Sequence, residues 1–585
     1  MTLSQALSVI RQQPPTGSAR RLFLACGFQP LHLLTFLKAQ LGVRFPGASI
    51  GVETGLYGDL EGTLAIAARS GTDTAVVVEW SDLDPRLGLR SSGGWGPSVE
   101  QDILATCRDR CARLLAALSE LASRVPVALA GPSLAVPLFG HTAGWQLGAA
   151  EAELQLLAAR FFADAARLDN VAVLRLSRLA ALSAEGARLD GKMELAAGFP
   201  YSLDHASALS LQLVKLLYPP TPMKGLITDL DDTLWSGIIG EVGASEVSWR
   251  LDDRAQIHGL FQQQLRQLSE TGALLAIVSK NEPAVVDEAL RRTDLYVPKD
   301  AFFPVRAGWN PKSQAVAEVL AAWNVGPESV VFIDDSPMEL EEVRTAFPAM
   351  TCLRFPANNA GKALELFTEL RDLFGKRTVQ AEDRLRQTSI RANAEFAQAR
   401  TADGGFVRSL QGRISFDGTK DADNKRLLEL INKTNQFNLN GVRLSEGEWR
   451  KNLATGDSIV TGISYEDKFG PLGVIGVVAG TLTGKHLTVS AWVLSCRAFS
   501  RRIEHHTFDY LFRSTGAHTI TLSFRPTERN HPLRQFLQEF GLAADGPREL
   551  SLSRDDFERV GAGLPHVVSS DGPLSRPRPH PGSGQ

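Results

Sequence analysis

The sequence predicts a multidomain α/β protein, and three observations carry that expectation. At 585 residues the chain exceeds a single hydrophobic core and suits about three domains. Short runs of Val, Ile and Leu alternate with helical stretches, the pattern of parallel sheets with crossover helices. Hydrophobic residues make up 44% and charged residues 22%, the balance of an ordinary globular protein.

The first segment is expected to span residues 1–220. "RLFLACGF" (Arg21–Phe28), "TAVVVEW" (Thr74–Trp80) and "NVAVLRL" (Asn170–Leu176) read as buried strands of a parallel sheet. Between them, "SVEQDILATCRDRCARLLAALSELASRV" has helical periodicity and places Cys107 and Cys111 on one face, as packed thiols rather than a redox or metal pair. "YPPTPMKG" (Tyr218–Gly225) is a joint, because its prolines interrupt helix and restart the chain extended.

The second segment, 221–378, alternates "GLITDL", "ALLAIVSK", "VVFIDD" and "MTCLRF" with helices, which predicts a parallel sheet with crossovers. A polar helix over Gln380–Arg400 is expected to bridge to a third segment, 379–560, of mixed helices and strands. These include "NKRLLELINKTNQFN", "SIVTGISYED", "GVIGVVAG", "HLTVSAWVLS", "RRIEHHTFDYLF" and "TITLSF". Residues 561–585, rich in Pro, Gly and Ser, read as a disordered tail.

Charge and cysteine usage narrow the function. A formal net charge of −3 gives no footprint for nucleic acid or an anionic membrane. The five cysteines, scattered apart from Cys107 and Cys111, form neither a disulfide framework nor a zinc pattern. The first residues lack the basic start and apolar core of a secretory signal, and no apolar run is long enough to span a bilayer. A cytoplasmic protein without a membrane partner is expected.

The chemistry concentrates at strand ends in the second segment. "LITDLDDTLW" sets Asp229, Asp231 and Asp232 behind a short apolar run. Carboxylates so close repel unless a cation or a phosphoryl transfer uses them. Ser279, Lys280 and Asn281 end a second strand, Lys312 starts a helix, and Asp334 and Asp335 end a third strand. An acidic turn would account for the first group alone. It does not account for Ser, Lys and paired Asp recurring at successive strand ends, where open α/β sheets bind ligands.

This set resembles the haloacid dehalogenase (HAD) phosphotransferase superfamily, whose first motif, hhhhDxDxT, matches Asp229-Leu230-Asp231-Asp232-Thr233. "DLDDTLWSGIIGEVG", "SKN" and "FIDDSPMELEEVR" are similar to the FkbH-like proteins of polyketide pathways. That branch usually has Asn where this chain has Asp232, and often Asn at Ser336. The resemblance implies Asp229 as nucleophile and Asp231 as acid and base. It implies Mg2+ held by Asp229, the backbone carbonyl of Asp231, and Asp334 with Asp335 assisting. Thr233, Ser279, Lys280, Asn281 and Lys312 would bind substrate phosphate, Lys312 neutralising its charge. The stretch between Thr233 and Ser279 is too short for a cap domain, so the expected sheet is a capless, Rossmann-like HAD core.

"KTNQFN" (Lys433–Asn438), "SCR" (Ser495–Arg497) and "TERNHPLRQFLQEFGL" (Thr527–Leu542) resemble the C-terminal, GNAT-like α+β part of the same branch. The glycine-rich phosphate loop of that fold is absent, Ser500 and Arg502 replacing its glycines. Cys496, beside Arg497, Arg501 and Arg502 and near His505 and His506, is the candidate acyl carrier, cations and a helix start favouring its thiolate. A packed strand-end residue is an equal reading from the residues alone, and the resemblance tips the choice. The first segment resembles an SGNH-hydrolase-like domain, but "LACGFQP" offers Cys26 where that fold needs its serine. "SLDHAS" places Asp204 and His205 adjacent, so a non-catalytic docking or scaffold module is expected.

The resemblance therefore implies a Mg2+-dependent phosphatase and glyceryltransferase. It would take the phosphorylated three-carbon substrate 1,3-bisphosphoglycerate, dephosphorylate it and load the glyceryl unit onto an acyl carrier protein. Two alternatives stay open: a phosphatase of another small phosphate ester whose third segment is a lid, and a non-enzymatic assembly factor.

Overall fold

The computed structural model describes residues 1–14, 19–92, 96–136, 139–379, 383, 390, 410–418, 425–434, 437–454, 457–468, 470–495, 498, 501–527, 530–542, 546–560 and 564–570. The chain divides into two compact units, Met1–Thr221 and Pro222–Gln585.

In the first unit β1 (Ala19–Cys26), β2 (Ser49–Thr54), β3 (Thr74–Val77), β4 (Val127–Ala130) and β5 (Val171–Val173) form one sheet. Its order is β2-β1-β3-β4-β5, and every pair is parallel. Period-two alternation sends Phe23 and Ala25 of β1 into one core and Leu22, Leu24 and Cys26 into another, so both faces are covered. The helix Glu100–Ala122 lies on the first side and buries Cys107, while Cys111 is half-buried. Burial pushes the Cys107 thiol up to about 12 and that of Cys111 up to about 11, so both stay protonated packing groups. β2 and β4 carry no clear sequence signal: one is a half-exposed edge, and the other is four residues long.

Beyond the carboxyl ends of this sheet lies a buried polar network. Glu79 accepts from Ser133 N (3.0 Å), Ser133 Oγ (2.6 Å) and the Tyr201 hydroxyl (2.7 Å). His205 meets Ser133 Oγ through Nε2 (2.8 Å) and Ser183 Oγ through Nδ1 (3.0 Å). Cys26 is buried, its thiol donates to Phe28 O at 3.4 Å, and burial raises its pKa far above the ordinary thiol value. The sequence candidates Cys26 and His205 are thus engaged inside the core, and Asp204 is exposed.

Burial, with the nearby Arg188 charge, lowers the His205 pKa to about 3. A neutral folded imidazole that protonates when unfolded loses stability as pH falls from about 6.5 towards 3, by about 5 kcal/mol at full expression. The difference in unfolding free energy between wild type and His205→Gln should therefore shrink over that window. A difference independent of pH there would contradict the buried neutral imidazole.

The second unit contains two sheets. β6 (Gly225–Thr228), β7 (Leu274–Ser279), β8 (Phe302–Ala307), β9 (Val330–Asp334) and β10 (Thr351–Arg354) are parallel in the order β10-β9-β6-β7-β8. Leu226, Leu275, Ile277, Val331 and Ile333 face one core, and Ile227, Leu274, Ala276, Val278 and Phe332 the other. At Gly225 the Trp323 ring packs so closely that a Cβ would lie 2.4 Å from it. The strand β8 was not legible in the sequence: Pro304 lacks an N–H, which restricts such a segment to the edge position it occupies. Connections run from β6 outwards to β8, then back across to β9 and β10. The chain thus reverses direction at β6, the position at whose carboxyl edge open α/β sheets bind ligands.

The other sheet of this unit is mixed and has eight strands: β11 (Arg413–Asp417), β12 (Phe437–Asn438), β13 (Ser458–Asp467), β14 (Gly470–Thr483), β15 (His486–Leu494), β16 (Thr519–Phe524), β17 (Arg548–Ser553) and β18 (Val567–Ser570). β15 pairs parallel with β16 only over His486–Val489, and β12 takes up its far end at Val493 and Leu494. The architecture is therefore a mixed α/β one, with two parallel sheets and one mixed sheet. The bridging helix read over Gln380–Arg400 lies almost wholly outside the described residues. Of the tail read as disordered over 561–585, residues 564–570 are described and correct that reading, since Val567–Ser570 form β18 paired with β11. The part beyond Ser570 lies outside the described residues. No helix among the described residues is long and apolar enough to cross a membrane.

Candidate functional site

The carboxyl ends of β6 and β9 collect the acidic residues. Asp229 directly follows β6, its N–H donating to Ile333 O at 3.0 Å, and its side chain is buried. Asp334 ends the neighbouring strand β9 and is also buried. Lys312, the first residue of the helix Lys312–Trp323, is buried with them. An ammonium at a helix start opposes the helix dipole, so its position needs strong compensation. Three carboxylates supply it. Lys312 Nζ lies 2.9 Å from Asp229 Oδ1 and 2.6 Å from Asp334 Oδ2, and it also pairs with Glu339.

Glu339 is the residue that sequence reasoning missed. It lies in the helix Pro337–Ala346 and joins two lysines, since Lys280 Nζ sits 3.0 Å from its other oxygen. Lys280 also approaches Glu342 at 3.9 Å. The signal was in the sequence as the Glu of "DDSPME", but only the helix's direction shows that it faces Lys312.

Burial raises the Asp229 pKa against the opposing pull of Lys312. Burial and the Asp229 charge push Asp334 up to about 7. Asp335, half-buried, is raised by burial and by Asp229. For Glu339 burial works upwards, but Lys312 and Lys280 prevail and lower it. Three carboxylates around one ammonium carry more negative charge than Lys312 alone can balance, which favours a further cation or a proton at the group.

Asp229, Asp334 and Glu339 each offer one oxygen, all within 4.8 Å of one another. Asp229 Oδ1 is buried and has the Lys312 ion pair but no aligned hydrogen bond. Hard oxygen donors, surplus negative charge and an open lone pair fit Mg2+. Asp335 stands beside this group rather than in it, its backbone oxygen accepting from Arg354 Nε at 3.0 Å.

Asp231 is placed differently. Its Oδ1 accepts from Trp235 Nε1 (3.0 Å) and Ile239 N (3.1 Å), and its Oδ2 from Asn281 Nδ2 (2.9 Å). The side chain is therefore held away from the three-carboxylate group. Asp231→Asn should leave Mg2+ affinity within about threefold of wild type while slowing turnover by about a hundredfold or more, as for loss of an acid–base group. Calorimetric titration of the metal checks this, and a collapse of affinity would make Asp231 a side-chain ligand.

Asp232 adopts a left-handed conformation (φ 49°), which Asp and Asn tolerate better than most residues, and its Oδ1 caps Gly237 N at 2.9 Å. That conformational role explains why either residue suits the position. Thr233 is buried, its Oγ1 without a hydrogen-bond partner among the described residues. Ser279 ends β7, buried, with Oγ 3.0 Å from Asn281 Nδ2.

Cys496 and Arg497 lie outside the described residues. Of their neighbours, Arg501 is buried against Asp467 (3.3 Å) and over the Tyr465 ring. His505 is buried with Nε2 3.0 Å from Glu539, and burial and Arg502 lower its pKa. His506 is lowered to about 3 by burial and by His566. Both histidines are core residues of the helix Ile503–Thr515.

No family model matches the chain, and no curated protein does. Among solved structures it is similar to the N-terminal part of the protein BF1531 from Bacteroides fragilis, described as containing a phosphatase domain complexed with Mg. That likeness has a TM-score of 0.51 and 18% identity, covering 65% of this chain and all of that one. It shows a shared fold. An uncharacterized protein from Corynebacterium glutamicum (16% identity, 26% of this chain, 98% of that one, TM-score 0.19) also matches a part. So does a domain from Methanocaldococcus jannaschii (10%, 24%, 99%, 0.20). These two carry no further argument.

Proposed function

We propose that this protein is a Mg2+-dependent phosphatase of the HAD type, working through a phosphorylated Asp229. The observation that carries the reading is the buried Asp229, Asp334 and Glu339 set gathered on Lys312 where the sheet reverses direction. Lys312 favours the ionised form of Asp229 against the burial that raises it, and an ionised carboxylate with an open lone pair is a nucleophile. In the first step an Asp229 oxygen bonds to phosphorus, the ester P–O bond breaks, and the proton of Asp231 passes to the leaving oxygen. In the second, water attacks phosphorus, gives its proton to Asp231 and releases phosphate from Asp229. Ser279 and Lys312 bind the phosphoryl oxygens. Bound Mg2+ would add positive charge against the same oxygens.

The specific form of the reading follows the sequence resemblance: 1,3-bisphosphoglycerate is the substrate, and the glyceryl unit passes by way of Cys496 to an acyl carrier protein. Two features favour a substrate borne on a larger body. Only a short helix, Ile239–Val242, turns and the core helix Gln256–Glu270 fill the stretch between Thr233 and Ser279, which leaves no cap. Trp309, three residues before Lys312, and Met338, next to Glu339 in its helix, are each 72% exposed. Phosphate release from a panel of esters, with and without Mg2+, tests the general reading. The intact mass of a carrier protein incubated with enzyme, Mg2+ and 1,3-bisphosphoglycerate tests the specific one. Release that ignores Mg2+ would count against the first, and an unmodified carrier against the second.

A further inference from the structure

The Asp231 carboxylate is fixed by three donors from three places in the chain. We infer that Trp235 and Asn281 are positioning residues that aim Asp231 at the leaving oxygen, and that Asn281 ties this group to the phosphate-binding Ser279. The inference rests on the phosphatase reading above.

Trp235 is four residues after Asp231 and fully buried. An indole N–H in a core needs an acceptor, and Asp231 Oδ1 provides it at 3.0 Å. Ile239 N fills the second lone pair of the same oxygen at 3.1 Å. A carboxylate oxygen has two acceptor sites, so Oδ1 is saturated. Oδ2 accepts from Asn281 at 2.9 Å and retains one site. The working proton therefore belongs on Oδ2, and the indole and the amide together fix where that oxygen points.

Asn281 extends the arrangement. Its amide nitrogen has two hydrogens, one for Asp231 Oδ2 and one for Ser279 Oγ at 3.0 Å. The Ser279 hydroxyl accepts from Asn281 and donates to the Asp229 carboxylate, which sets it beside the nucleophile. Asn281 is itself buried, so water cannot replace the amide. One side chain thus sets both the group that grips phosphate and the group that protonates the departing oxygen.

The leaving group provides the test. An alkoxide needs Asp231's proton to depart, whereas p-nitrophenolate is stable without it. The value of kcat/KM reports the steps through departure of the leaving group, so it is the quantity to compare. Asn281→Ala and Trp235→Phe should each lower kcat/KM for glycerol 2-phosphate by about tenfold to a hundredfold, part of the general-acid contribution. For Trp235→Phe the loss on p-nitrophenyl phosphate should stay within about threefold, as part of the general-acid contribution alone. Asn281→Ala also frees Ser279, so it should lose more on that ester than Trp235→Phe does, yet less than it loses on glycerol 2-phosphate. Mg2+ affinity should not change in either. Trp235→Phe keeps an aromatic ring in the core and touches neither Ser279 nor the metal carboxylates, so it stands if Asn281→Ala fails to fold. Equal losses on both esters, or no loss on either, would overturn the positioning roles while leaving the phosphatase reading intact. A wild-type enzyme that cleaves neither ester with Mg2+ would overturn both.

Discussion

Asp229→Asn is expected to abolish phosphate release, by at least about four orders of magnitude, without unfolding the protein. The amide preserves shape and packing but cannot attack phosphorus. Lys312 retains Asp334 and Glu339 as partners, so losing one of three carboxylates does not strand the buried ammonium. The variant should keep its circular dichroism spectrum and thermal midpoint within a few degrees. Phosphate release near the wild-type rate from a folded Asp229→Asn protein would remove the nucleophile from the scheme.

Lys312→Met should have the largest effect on stability. It strips the ammonium from three carboxylates, two of them fully buried and one half-buried, and leaving buried charge unpaired costs about 3–5 kcal/mol. The loss should depend on pH in a stated direction. Without Lys312 the folded carboxylates hold protons to a higher pH than in the unfolded chain, so stability falls as pH rises. Asp334, already at about 7 with Lys312 present, makes that fall run from the ordinary carboxylate range at about pH 4 up through neutrality and level off above it. Mg2+ should restore much of the loss, because it supplies the missing charge to the same oxygens. Thermal midpoints of Lys312→Met at pH 6 and pH 8, with and without Mg2+, check all three statements. A variant as stable as wild type at pH 8 in chelator would show that the carboxylates do not depend on Lys312.

The central sheet and its acidic residues were legible because their signals are local. Asp229 and Asp231 sit two apart directly after β6, Ser279 closes β7, and Asp334 closes β9. A continuous apolar run in a strand buried on both faces marks each position. What escaped depends on contacts between distant elements. Glu339 gained its place from the direction of one helix turn, and Trp235 from a hydrogen bond that only the folded loop reveals. Asn281 read as a phosphate ligand from its place in "SKN", and the structure turns its amide towards Asp231 and Ser279. Arg501 read as a free cation beside Cys496, and a carboxylate 34 residues earlier holds it. β8 was missed because Pro304 suppresses the strand signal, and β4 because its short Val/Ala/Leu run follows closely on the long Ala- and Leu-rich helix Glu100–Ala122.

The central claim is covalent phosphorylation of Asp229, and trapping that intermediate tests it most directly. The enzyme would be mixed with Mg2+ and p-nitrophenyl phosphate, quenched in acid within the turnover time, and mapped by peptide mass after reduction with borohydride. Homoserine in place of Asp229, the residue left when borohydride displaces phosphate from the acyl phosphate and reduces its carbonyl, is the predicted result, absent from Asp229→Asn and from a reaction in chelator. Turnover without a trapped acyl phosphate, or a label on any other residue, would contradict the account.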